Sequence, residues 1–167
     1  HTVLAGGLNK GGQGIYMLDI TDPSTFSESN ASNIYRWEYT DTNDADLGYT
    51  YSRPAIGKVR TSTGTKWAAV FGNGYNNTFD DTAAGGQKSS TGNAALYVVD
   101  IETGALLRKI SVPAGTAQDP TGNSRPNGLN TAALVDVNND TVADYVFAGD
   151  LFGNLWKFDI TNNNPGL

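Results

Sequence analysis

At 167 residues, with 38% apolar and 17% charged positions and 20 glycines, the chain is long enough to bury a core as one domain and too apolar to be disordered. Eleven Lys and Arg against seventeen Asp and Glu leave a formal net charge of −6, which argues against nucleic acid or an anionic membrane surface as a partner. The lack of cysteine removes disulfides, thiolate metal sites and cysteine nucleophiles together.

No signal peptide is recognisable and no apolar run is long enough to insert in a membrane. The chain opens at His1 inside an expected strand and without Met, which points to a processed or excised piece of a longer protein. Val3–Gly7, Gly14–Thr21 and Ile34–Tyr39 then read as three strands separated by turns. A second set follows at Pro54–Val59, Trp67–Gly74, Ala94–Gly104 and Leu106–Ile110. A third falls at Thr131–Val135, Tyr145–Gly149 and Gly153–Thr161.

One strand of each set ends in Asp-Ile followed closely by Thr, so Asp19, Asp100 and Asp159 are expected to cap turn amides. The near-continuous apolar run Ala95–Val99 suits a strand buried on both faces, and the alternation of Tyr35–Tyr39 suits a half-exposed outer strand. No stretch carries a 3.6-residue period, so helix should be scarce.

The fold expected is all-β, a four-stranded antiparallel meander repeated as about two and a half to three propeller blades. One domain, 1–167, would hold blade remnants over 1–40, 50–112 and 128–162. The repeats lie farther apart than the ~40–45 residues of a compact blade, which places long loops at Thr40–Gly48, Asn73–Asn93 and Pro113–Gly128. A propeller closes with ~4–8 blades, so the remainder lies outside this chain, or other copies or partners cover its open strand edges.

The most informative stretch is Asp136-Val137-Asn138-Asn139-Asp140-Thr141-Val142-Ala143-Asp144. Oxygen-bearing side chains occupy its first, third, fifth and ninth positions, and Val142 at the seventh can offer its backbone carbonyl. Three carboxylates this close repel one another without a cation between them, and the alternation is the ligand rhythm of an EF-hand-type calcium loop. Two departures bear on affinity. Thr141 stands where such loops turn on glycine, and Phe147 stands where a bidentate Glu is usual, which leaves a ligand to come from water or from Asp150. The competing reading is a polar hairpin whose Asp and Asn satisfy turn amides.

Other features have plainer readings. Asp41–Asp46 lacks the regular alternation and reads as a solvated loop, as do Asp80 and Asp81. Trp37, Trp67 and Trp156 read as blade-packing residues. His1 is the sole histidine, so a catalytic triad or histidine metal cage has nothing to work with, and no carboxylate pair is set apart by its surroundings. No catalytic or organic-cofactor residues are assigned. Gly11-Gly12-Gln13-Gly14 and Gly85-Gly86 read as hairpin turns, and the sequons at Asn30, Asn76 and Asn139 as chance.

With these residues laid out, the chain resembles the C-terminal β-propeller of the PilY family, type IV pilus assembly and tip-adhesin proteins related to the neisserial PilC adhesins. The resemblance runs from Val3–Gly7 and Gly14–Asp19, through Leu47–Pro54 and Val70–Asn76, to the loop 136–144 and Gly149-Asp150. It implies a modified propeller and one Ca2+ held by Asp136, Asn138, Asp140, the Val142 carbonyl and Asp144. It also implies a non-enzymatic role at the outer membrane and extracellular pilus tip, where calcium occupancy decides whether pili stay extended or retract. Partners would be pilin subunits, other pilus or adhesin proteins and the rest of the same propeller. Two alternatives remain open: a quinoprotein-like dehydrogenase propeller, because Tyr97-Val98-Val99-Asp100 with Thr103-Gly104 also suits such blades, and a self-assembling extracellular structural subunit.

Overall fold

The computed structural model describes residues 1–162. Ten strands form three antiparallel sheets. The first contains β1 (Val3–Gly7), β2 (Gly14–Asp19) and β3 (Tyr35–Thr40). The second contains β4 (Ala55–Thr61), β5 (Gly64–Gly72), β6 (Ala94–Asp100) and β7 (Leu106–Val112). The third contains β8 (Ala133–Val135), β9 (Tyr145–Gly149) and β10 (Leu155–Asp159). Every expected strand is present, each sheet is a meander in chain order, and the full four-stranded form is seen in the middle sheet. Helix is limited to one turn, Ala31–Ile34, and a few 3-10 turns. The first strand begins at Val3 rather than at the chain start, and His1 instead places Nδ1 3.0 Å from the Asp19 carboxylate.

The core explains why β5 and β6 read as unbroken apolar runs. Their side chains alternate between two faces, and each face is covered by a neighbouring sheet. On one side Val70, Leu96, Val98 and Ile110 pack with Leu129, Val146, Ala148 and Phe158 of the third sheet and its approach. On the other, Ala69, Phe71, Tyr97 and Val99 pack with Ile15, Met17, Trp37 and Tyr39 of the first. Phe71 and Tyr97 stack at 5.5 Å, with Tyr39 set against both. This face-to-face stacking of meanders is the packing of propeller blades.

The three sheets meet at one end through close backbone contacts and one buried side chain. Gly48 N donates to Asn73 O, Gly74 N to Leu129 O and Leu151 N to Gly128 O. A β-carbon on Gly128 would lie 1.8 Å from the Gly74 carbonyl oxygen, so only glycine permits the approach. Asn73, fully buried, locks the junction: its Oδ1 accepts from Ala95 N at 3.0 Å and Leu129 N at 2.9 Å, and its Nδ2 donates to the carbonyls of Asp46 and Asn93.

The three marker aspartates cap their turns as expected, Asp19 accepting from Thr21 N, Asp100 from Glu102 and Thr103 N, and Asp159 from Thr161 N. The tryptophans divide. Trp37 is buried and donates to the Ile101 carbonyl, and Trp156 packs on the core and donates to Asp150. Trp67 is 53% exposed with Lys58 above its ring, because it lies near the solvent end of the long β5 strand, outside the blade interior.

Asn73→Ala should lower unfolding stability by about 3 kcal/mol in urea titrations, since two buried amides lose their acceptor at once. A loss below about 1 kcal/mol would mean that the junction holds without it.

Candidate metal centre

The loop 136–144 connects β8 to β9 and lies against the free edge of β4. Val142 pairs with Lys58 in a parallel bridge, and Ala143 N donates to the Lys58 carbonyl at 2.9 Å. The loop belongs to the third sheet and thus shields an unpaired edge of the second, where exposed strand groups would otherwise invite association. Its own base is closed by Asp144 N donating to Val135 O and Ile160 N to Asp144 O, 2.8 and 2.9 Å.

Within the loop the carboxylates turn inward onto backbone amides. Asp136 Oδ1 accepts from Asn138 and Asn139 N, and its Oδ2 from Thr141 N at 2.8 Å. Asn138 Oδ1 accepts from Asp140 N, Asp140 Oδ1 from Val142 N, and Asp144 Oδ2 reaches back to Val137 N. Such a tight curl needs left-handed residues, supplied by Asn139 at φ +62° and Thr141 at φ +70°. Thr141 therefore has the backbone conformation of the glycine whose position it fills, an unfavourable one for a β-branched residue.

The remaining carboxylate oxygens meet a residue that the loop's own sequence does not contain. Arg60, on β4, donates through Nη2 to Asp140 Oδ2 at 2.7 Å and through Nη1 to Asp144 Oδ1 at 2.9 Å and the Ala143 carbonyl at 3.1 Å. Asp144 is buried, whereas the Asp140 side chain is nearly half exposed. The Val142 amide holds the Asp140 carboxyl below its ordinary range, with smaller contributions from Asn138 and Arg60 against the opposing effect of burial.

The five expected ligand groups thus share one loop, and Asp140 and Asp144 are brought to a common cation, a guanidinium. Among the described residues no three His, Cys, Asp or Glu side chains converge closely enough to form a metal cage by themselves. As a donor set, three carboxylates, one amide oxygen and a peptide carbonyl fit a hard divalent cation such as calcium and no softer metal. Asp150 is not one of them. It sits at the far end of β9, where its carboxylate accepts from Asn127, Asn154, Trp156 and the amide of Phe152.

The second acidic stretch is not the solvated loop its sequence suggests. Asp41 is buried and accepts from Gln87 N, while Lys109 Nζ bridges Asp44 Oδ1 and Asp46 Oδ2 at 2.7 Å each. The Tyr97 hydroxyl donates to Asp44, and Ser89 to Asp46. Burial works against the Lys109 charge, yet the two carboxylates raise its pKa. Lys109 comes from β7 and Ser89 from the long loop between β5 and β6, so no local signal foretold the network. Asp80 is exposed beside Lys88, as expected of a solvated turn.

The chain matches the family model described as the PilY1 beta-propeller domain over residues 1–166. It is 40% identical to a type IV pilus biogenesis factor PilY1 homolog of Xylella fastidiosa, over 99% of this chain and 10% of that protein. It is also 40% identical to the type IV pilus biogenesis factor PilY1 of Pseudomonas aeruginosa PAO1, over 96% of this chain and 11% of the relative. The chain therefore spans about a tenth of the length of these relatives. The crystal structure of the Pseudomonas aeruginosa PilY1 C-terminal domain superposes with a TM-score of 0.73 at 41% identity, covering 96% of this chain and 27% of that one. Stacked three- and four-stranded meanders and a continuous match from end to end agree, and the chain belongs to the PilY1 β-propeller family.

Proposed function

We propose that the chain is a calcium-binding part of the propeller of a type IV pilus biogenesis factor, working without catalysis at the pilus tip outside the cell. Asp136, Asn138, Asp140 and Asp144 would hold Ca2+ through side-chain oxygens and Val142 through its carbonyl. Bound there, the ion supplies positive charge to three carboxylates and ties the end of β8 to the start of β9. The observation that carries the reading is the curl of the loop, in which Thr141 accepts a left-handed backbone and every Asp already faces inward.

Occupancy of the loop would regulate pilus extension or adhesion by stiffening the loop itself at one edge of the third sheet. Pilin subunits, other pilus or adhesin proteins and the rest of the same propeller are the partners this implies. The blade remnants 1–40, 50–112 and 128–162 would belong to that one domain, of which residues 163–167 lie outside the described structure. The relatives are named as pilus biogenesis factors, which supports this reading over a quinone-dependent dehydrogenase.

Calorimetry on the 167-residue chain should show one calcium bound, with Asp140→Ala and Asp144→Asn each abolishing tight binding while far-UV circular dichroism is kept. Unchanged affinity in both variants would end the ligand assignment. Because the Asp140 pKa is depressed, its carboxylate supports the folded loop fully above the ordinary value of 3.8 and loses that contribution as pH falls through the lower, folded value. Calcium uptake should accordingly hold to about pH 4 and fall away below it. Thr141→Gly should relieve left-handed strain and raise stability by up to about 1 kcal/mol after the entropic loss of glycine, with tighter calcium binding. Thr141→Val should show neither gain.

A further inference from the structure

We propose that Arg60 is a built-in competitor for the calcium loop, a resident cation on the neighbouring sheet that an incoming ion must displace. The inference rests on the calcium reading above and adds a regulator that lies outside the loop. Its basis is the division of labour among the carboxylate oxygens. In Asp140 and Asp144 one oxygen accepts a loop amide, Val142 N or Val137 N, and so shapes the curl. The other oxygen of each is held by the Arg60 guanidinium. Asp136 is turned to three loop amides and takes no part in the pairing.

The oxygens that accept no backbone amide of the loop are therefore the ones Arg60 occupies, and Asp140 Oδ2 accepts from Asn138 Nδ2 at 3.2 Å as well. A calcium ion contacts its oxygens at about 2.3–2.6 Å, so it cannot take both while a guanidinium sits on them at hydrogen-bond distance. The exchange is between like charges, and it decides affinity. Arg60 is well placed to resist, since its strand is joined to the loop by the Lys58–Ala143 hydrogen bond and its Nη1 also holds the Ala143 carbonyl.

A displaced Arg60 has somewhere to go. It lines a cavity of about 470 Å³ with Thr61, Ser62, Thr63, Lys66 and Arg108. That space already holds a cation: Arg108 is buried and its Nη1 has no hydrogen-bond partner among the described residues, whereas the Lys66 charge is met by Asp100. Moving a second guanidinium toward Arg108 is unfavourable, so the pairing of Arg60 with the loop is favoured until an ion with greater charge arrives. Calcium uptake would thus remove a side-chain link between the second and third sheets as it rigidifies the loop, and this exchange is how occupancy is felt beyond the loop.

Arg60→Gln should tighten calcium binding about tenfold, because one positive charge leaves the site, and should lower the melting temperature of the calcium-free chain. Arg60→Lys keeps the charge without the two-pronged geometry and should fall between wild type and Gln, which serves if the Gln variant folds poorly. In the wild type, the Arg60 guanidinium NMR signals should shift on calcium titration and lose their slowed exchange. Tighter binding in both variants with that shift establishes competition. Equal or weaker binding by folded Arg60 variants, in a chain whose wild type binds calcium, overturns the competitor and leaves the calcium reading standing. Absence of binding in wild type and all variants overturns both.

Discussion

The side-chain oxygen of one buried asparagine serves β6 and the approach to β8 at once, and the relative placement of the three sheets depends on it. Asn73 Oδ1 takes the amides of Ala95 and Leu129, and its Nδ2 takes carbonyls at Asp46 and Asn93. Buried amides without acceptors are costly, so this junction admits one arrangement of the loops around it. Gly74 and Gly128 let the backbones close to contact there. From that fixed end the second and third sheets run side by side, and the edge of β4 comes to lie against the loop 136–144 at the other.

The same molecule meets crowded carboxylates in two different ways. At Asp44 and Asp46 the compensating Lys109 sits over the Tyr97 ring, with further donors from Tyr97 and Ser89, and both carboxylates are largely covered. At Asp140 and Asp144 the compensating Arg60 stands at a boundary, with Asp140 open to solvent and a cavity beside the guanidinium. A pairing whose two carboxylates are largely covered and tied to a core tyrosine is structural. An open pairing between two sheets can be exchanged, and that difference separates a scaffold element from a responsive one.

The curl of the loop is consistent with this division. Nearly all of its shape comes from Asp and Asn side chains accepting local amides, an arrangement available to any Asx-rich turn. What distinguishes it is that Thr141 is held left-handed and that two carboxylate oxygens remain for a cation. Shape and charge compensation are separable, so the cation can change while the loop persists.

The sequence by itself determined all ten strands and their antiparallel order, because alternation, turn residues and the recurring Asp caps are local properties of the chain. It also located the acidic loop and its five candidate oxygens, since their spacing lies within nine residues. The tertiary structure alone decided which strand edge that loop would cover, that Arg60 would enter it, and that Asp44 and Asp46 would pair with Lys109. It also left Trp67 outside the core and set Asp150 at the wrong end of β9. In each case the deciding contact joins residues brought together only by the stacking of sheets, and the charge of Arg60 or Lys109 carries no mark in the chain of the carboxylate it will meet.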